Sequence, residues 1–119
     1  MAAVEAFCSD HGLGADIAME MELVLEEAVT NSMRHGFVDG GEHSVTVLMV
    51  CTDSKLTLEV TDDGIPYDPL QRAPVDVDAP LEERTIGGLG IHLIRNLMDE
   101  VEYDRVEDRN RLRMRKALG

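Results

Sequence analysis

Apolar residues recur at three-and-four spacing from Ile17 through Met21, Val24 and Leu25 to Ala28, the pattern of a helix with one buried face. Asp16 stands where an N-cap belongs, and Gly36, followed by Asp39-Gly40-Gly41, supplies the stop, so a long helix is predicted over 16–35. A shorter helix is expected over 4–11, closed by Gly12 and Gly14. The period then changes from helical to alternating. Residues 44–51 and 55–61 are rich in Val, Leu and Thr, and Thr52-Asp53-Ser54 between them predicts a hairpin. Helical spacing returns at Leu89 with Ile91, Leu93, Ile94, Leu97 and Met98. Residues 101–105 and 111–116 predict a second hairpin around Glu107-Asp108-Arg109-Asn110. Residues 62–88 show no sustained period and hold all four prolines; a loop of that length inside a small domain is usually functional or partly disordered. The order of elements is that of an α+β fold with helices on one face of an antiparallel or mixed sheet.

With 119 residues, 44% of them hydrophobic, the chain suffices for one compact domain and is too short for two, so a single domain over 1–119 is expected. The seven Met residues read as core filler. Against 11 Lys and Arg stand 24 Asp and Glu, a formal net charge of −13. Direct nucleic-acid binding is disfavoured, because it requires a basic stripe that releases counterions. No run of about 18 apolar residues offers a membrane span. Residues 1–15 lack a basic segment followed by an apolar one, so a cytoplasmic location is expected. Cys8 and Cys51 accordingly read as thiols in a reducing compartment. The acidity also constrains phosphate ligands: they would be repelled at long range, and a site for them has to use backbone N–H groups, a helix terminus or a bound cation.

Three short stretches carry candidate chemistry. Glu27, Asn31 and His35 are spaced by four and project from one side of the long helix, beside its apolar face. An Asn there needs partners, a local inconsistency of the kind sites produce, although Glu-x-x-x-Asn alone is more often two half-exposed helix residues. Asp62-Asp63-Gly64-Ile65-Pro66 follows a strand directly. An Asp at a strand end followed by Gly can point its carboxylate into a crevice while the backbone turns away. A carboxylate only accepts hydrogen bonds and so suits an exocyclic amine, yet by itself Asp-Gly is an ordinary turn. Gly87-Gly88-Leu89-Gly90 opens an apolar helix, where unpaired N–H groups and the dipole favour phosphate; it is neither a Walker loop nor a dinucleotide fingerprint.

Taken in order, EEAVTNSMRHG at 26–36, DDGIPYDP at 62–69 and GGLGIHLIRNLMDEVEY at 87–103 resemble the GHKL superfamily of ATP-binding domains, and within it the anti-sigma-factor serine/threonine kinases. The resemblance implies a Bergerat-type α/β sandwich, with helices on one face of a mixed, mostly antiparallel sheet and an ATP lid over about 68–87. It implies ATP and Mg²⁺ as cofactors, Glu27 as general base and Asn31 as the Mg²⁺ ligand. Asp62 would take the adenine amine and Gly64 would let the base pack against the backbone. Gly88, Leu89 and Gly90 would shape the phosphate-binding helix start, and His35 and Pro66 fall at positions near the nucleotide. The implied partners are ATP, a small anti-sigma-factor antagonist that accepts the phosphoryl group, and a sigma factor.

The chain also departs from that pattern. Pro66 stands where the superfamily often has a second glycine, and the Thr that often precedes the final strand and supports the adenine is replaced by Asn110 or Arg111. The strand that usually precedes the first helix has only residues 1–3 in its place, which leaves a sheet edge for a second chain and makes a homodimer an expectation. Arg34, Arg84 and Arg95 are candidates for the γ-phosphate by location only. The four histidines show no metal-ligand spacing, so no zinc site is expected. Two rival readings share the nucleotide residues: a nucleotide-gated binding module that transfers nothing, and the catalytic domain of a sensor histidine kinase.

Overall fold

Both hairpins and all three helices form in the predicted order. A computed structural model describes residues 2–36, 43–71 and 86–118, with 35, 36, 71 and 86–89 as backbone only. The elements are α1 (Ala2–Asp10), α2 (Ala15–Gly36), β1 (Val45–Thr52), β2 (Lys55–Asp62), a 3₁₀ turn at Pro69–Gln71, α3 (Ile86–Leu97), β3 (Glu100–Val106) and β4 (Arg109–Ala117). The sheet order is β1-β2-β4-β3. All three pairings are antiparallel, so no parallel pair exists among the described residues.

Helix α2 starts two residues earlier than its apolar spacing suggests. The Ala18 N–H donates to the Gly14 carbonyl at 3.1 Å, so Gly14 and not Asp16 occupies the cap position. Asp16 lies in the first turn, where its carboxylate still meets the positive end of the helix dipole. Helix α3 begins at Ile86, ahead of Leu89, because its glycines carry no side chain from which a face could be read. At its other end Lys116 Nζ donates to the Leu97 carbonyl at 2.9 Å, placing a cation where the helix leaves carbonyls unpaired.

Each hairpin closes through two residues with positive φ: Asp53 at 52° and Ser54 at 61°, Glu107 at 51° and Asp108 at 63°. Two consecutive left-handed residues make a type I′ turn, whose twist matches the flanking strands. The second turn therefore takes only Glu107 and Asp108. Arg109 and Asn110, expected within the turn, belong to β4.

Strands β2 and β4 lie at the centre of the sheet and alternate strictly. Leu56, Leu58 and Val60 of β2 and Leu112 and Met114 of β4 face the helices and are buried. Met21, Val24, Leu25 and Ala28 of α2, Ile91 and Ile94 of α3, and Val4 and Cys8 of α1 close the core over them. Met19 and Met33 depart from the expected core role: they stand on the outside of α2, 60% and 57% exposed. The opposite face of the sheet is a charged lattice in which Arg113 and Arg111 approach Glu59 and Arg115 reaches Glu100 and Glu102. Much of the basic inventory is spent there and not in a phosphate site.

Candidate functional site

Three buried rows end in a polar residue at the same end of the domain. On β2 the inward row Leu56, Leu58, Val60 continues to Asp62. On β4, read towards its start, Met114 and Leu112 lead to Asn110, which is paired with Asp62 across the ladder. On α2 the buried face continues from Ala28 to Asn31. Asn31, Asp62 and Asn110 are 8%, 4% and 5% exposed and are the buried polar side chains among the described residues. All three line one cleft, floored by Ala28, Val60 and Leu112 and flanked by Ser32, Tyr67 and Pro69. Apolar groups would be the cheaper choice at such positions, since a buried polar group costs free energy unless it is bonded. Three of them converging on one cleft mark a site for a polar ligand.

Asp62 is held on one side. Its Oδ1 accepts the Gly64 N–H at 2.9 Å and the Asn110 amide at 2.9 Å. The chain after Asp62 is tied down from several elements. Arg105 Nη1 donates to the Gly64 carbonyl at 2.8 Å, and Arg95 Nη2 to the Leu70 carbonyl at 3.0 Å. Asp68 Oδ1 accepts the Leu70 N–H at 2.9 Å and caps the 3₁₀ turn. Asp63, the second carboxylate of the pair, points elsewhere: its Oδ1 meets His43 Nδ1 at 3.0 Å and the Ser44 N–H at 3.1 Å. Partial burial raises its pKa, but the Ser44 N–H and His43 outweigh that and hold it below the usual carboxylate range. The two neighbouring acids are thus divided, one facing the cleft and one locking the start of β1.

Asn31 Oδ1 is buried and accepts no hydrogen bond among the described residues. An orphaned carbonyl oxygen of this kind costs about 1–3 kcal/mol and fits a hard cation such as Mg²⁺. No group of three or more His, Cys, Asp or Glu that could hold a metal exists among the described residues. A cation here would therefore take few of its ligands from the protein and the rest from ligand oxygens and water, which suits Mg²⁺. One turn earlier Glu27 lies half-buried with its carboxylate against the start of α3. A Cβ placed on Gly90 would stand 2.6 Å from Glu27 Oε2, so Gly90 is the residue that lets the first and third stretches meet.

Comparison with known proteins agrees with this geometry. The model of the histidine kinase-like ATPase domain matches residues 1–116. The chain belongs to that family. Among its relatives the serine-protein kinase RsbW of Listeria monocytogenes is 33% identical over 107 residues, 85% of this chain and 68% of that protein. The anti-sigma F factor of Oceanobacillus iheyensis is 32% identical over 102 residues, 84% of this chain and 68% of that protein. Among solved structures, the blue-light activated histidine kinase of Erythrobacter litoralis EL346 matches with a TM-score of 0.61 at 23% identity, over 88% of this chain and 31% of that one. That likeness speaks for the fold, an α+β sandwich shared with histidine kinase domains.

Within this ATPase-domain fold, Asn31 and Asp62 line one cleft, Gly64 donates to Asp62, and Gly90 packs on Glu27. Pro66 is exposed on the loop beyond Gly64. His35 lies in the last turn of α2 and Gly88 and Leu89 in the first turns of α3; their side-chain surroundings, like most of the 68–87 lid segment, fall outside the described residues. Arg95 is engaged with the Leu70 carbonyl, Arg34 is exposed, and Arg84 lies outside the described set. Motif reading names Asn110 without giving it a role and passes over Tyr103. Of the two residues named at the place of the Thr, Asn110 faces the cleft and Arg111 the opposite side of the sheet; the signal available for Asn110 is its position two residues before Leu112 on an alternating strand.

Proposed function

We propose that this histidine-kinase-like ATPase domain is an ATP- and Mg²⁺-dependent protein serine/threonine kinase that phosphorylates an anti-sigma-factor antagonist and sequesters a sigma factor. The observation that carries the reading is the convergence of Asn31, Asp62 and Asn110 as buried polar groups on one cleft, in a chain a third identical to a serine-protein kinase over most of its length. Asp62 accepts a hydrogen bond from the adenine amine, and Gly64 leaves room for the ring. Asn31 Oδ1 would hold Mg²⁺, which would supply charge neutralisation for the phosphates. Gly88, Leu89 and Gly90 shape the start of α3, whose unpaired first-turn N–H groups receive phosphate oxygens as an acidic protein requires. His35 and Pro66 border the nucleotide. Glu27 takes the proton from the attacking hydroxyl of the antagonist.

A second copy of the chain is part of the same reading. Strand β1 has β2 as its ladder neighbour, carries no charged residue or proline between Val45 and Thr52, and exposes Val47, Leu48 and Val50. Such an edge invites pairing, and light scattering at increasing concentration tests for a dimer. A cytoplasmic site of action goes with these partners, and no described helix is long and apolar enough to cross a membrane.

The experiment is phosphotransfer from labelled ATP to candidate antagonists, with Glu27→Gln as the comparison. Loss of a general base lowers rate by about 10²–10⁴-fold, so the variant should bind nucleotide as wild type does and transfer that much more slowly. Absence of transfer by wild type to any antagonist it binds, with tight ATP binding retained, leaves the nucleotide-gated binding module as the function.

A further inference from the structure

Asn110 carries four hydrogen bonds, all that its amide can make. Nδ2 donates to Asp62 Oδ1 at 2.9 Å and to the Ile65 carbonyl at 2.7 Å. Oδ1 accepts the Tyr67 N–H at 3.2 Å and the Tyr103 hydroxyl at 2.6 Å. The amide cannot turn over, because its oxygen would then face two acceptors, Asp62 Oδ1 and the Ile65 carbonyl, and its nitrogen would face the Tyr67 N–H. Asp62 Oδ1 is likewise filled, by Gly64 and Asn110. Its Oδ2 takes no hydrogen bond among the described residues. The carboxylate therefore has one oxygen spoken for and one to offer. Asn110 has nothing left for a ligand, although it lines the cleft.

We propose that Asn110, locked by the Tyr103 hydroxyl, is the positioning residue that aims Asp62 Oδ2 at the exocyclic amine of the base, so that base discrimination rests on that one hydrogen bond. The inference rests on the reading of Asp62 as the adenine residue and goes beyond it. It assigns the orientation of the carboxylate to a relay across three strands, from Tyr103 on β3 through Asn110 on β4 to Asp62 on β2. It also states what Asn110 does not do: with both N–H groups used, it reads no ring nitrogen. Burial raises the pKa of the Tyr103 phenol, which keeps the hydroxyl proton in place as the donor to Asn110.

The test compares binding of ATP with binding of purine riboside 5′-triphosphate, which lacks only the 6-amino group, by calorimetry in the presence of Mg²⁺. Wild type should prefer ATP by about tenfold or more, the worth of a hydrogen bond to a charged acceptor. Tyr103→Phe, which keeps the ring and removes the hydroxyl, should cut that preference several-fold. Asn110→Ala should bring it within about twofold of unity. The affinity for the des-amino nucleotide should fall much less than that for ATP in both variants, and least in Tyr103→Phe, since Asn110→Ala also frees Ile65 and Tyr67. That pattern distinguishes aiming from general support, which would weaken both ligands equally and leave the ratio intact. Should Asn110→Ala not fold by circular dichroism, Tyr103→Phe carries the test. A discriminating wild type whose variants keep the full ratio, or lose both ligands in parallel, overturns the proposal alone. A wild type that binds both nucleotides alike overturns the adenine reading of Asp62 and this proposal with it.

Discussion

Replacing Gly90 by Ala isolates the contact that joins Glu27, the proposed general base, to α3, the proposed phosphate-binding helix. The added Cβ would lie 2.6 Å from Glu27 Oε2, with Cδ at 3.5 Å and the Glu27 Cβ at 3.6 Å. Ordinary contact begins at 3.4 Å, so Cδ and Cβ are accommodated and the oxygen alone must retreat, by about 0.8 Å, the difference between its 2.6 Å and that limit. Oε2 is the far end of a flexible side chain, and the retreat strains little. Meanwhile Gly→Ala within a helix stabilises by about 0.5–1 kcal/mol through lost backbone freedom in the unfolded chain, about 2–4 °C in Tm for a domain of this size. The catalytic consequence has the opposite sign. Displacing a reacting group by about 1 Å costs on the order of 10²-fold in rate, so phosphotransfer should fall by roughly 10–100-fold.

Single-turnover transfer at saturating ATP, calorimetric ATP affinity and a thermal melt, taken together, check this. The expected variant melts no lower than wild type, binds ATP within about threefold of it, and transfers slowly. Wild-type transfer would refute the steric argument, since the carboxylate would then have moved without consequence. A loss of ATP affinity as large as the loss of rate would refute it differently: Gly90 would serve phosphate approach to the backbone and not the position of Glu27.

Three further outcomes follow from the site and its surroundings. Asp62→Asn replaces an acceptor with an amide and should weaken ATP binding by about tenfold or more; unchanged affinity with an intact circular dichroism spectrum removes Asp62 from the site. Asn31→Ala deletes the orphaned oxygen, so its effect on ATP affinity should be large with Mg²⁺ and small in EDTA, and equal effects in both count against a metal ligand. Asp63, lowered by the Ser44 N–H and His43 against partial burial, and Asp104, lowered by its hydrogen bonds to Arg111, keep their charges to lower pH in the folded state than in the unfolded one. Their stabilising contribution is therefore complete above the ordinary carboxylate range and is lost as pH falls below about 4; urea melts of Asp104→Asn should show a shallower acid decline than wild type, and an identical slope refutes the assignment.

Periodicity made most of the scaffold legible. Met21, Val24, Leu25 and Ala28 do form the buried face of α2, and the alternating residues of β2 do divide into core and solvent rows. What failed did so for local reasons. The turns at Asp53-Ser54 and Glu107-Asp108 adopt a left-handed pair without the Asn-Gly or Gly-Gly that usually announces one, so the sequence does not mark the second turn as ending before Arg109 and Asn110. Helix α3 begins ahead of its apolar pattern because glycines carry no periodic signal.

The candidate site shows the same division between pattern and packing. Asp62 and Asn31 sit at the in-phase continuation of a buried row, and a row that turns polar while still in phase can be read from sequence alone. Asn110 obeys the same rule on β4, two positions before Leu112, but the rule applies only once the strand's start is known. Its pairing with Asp62 is a matter of register between strands 48 residues apart in sequence, which depends on turn geometry at both hairpins. Short motifs find residues that act within one element, such as Glu27 and Asn31 on α2. A residue that acts by holding another across a sheet leaves no mark at its own position beyond being polar where its neighbours two along are not. That mark, a polar residue in phase with a core row, is the physical reason Asn31, Asp62 and Asn110 belong to one site.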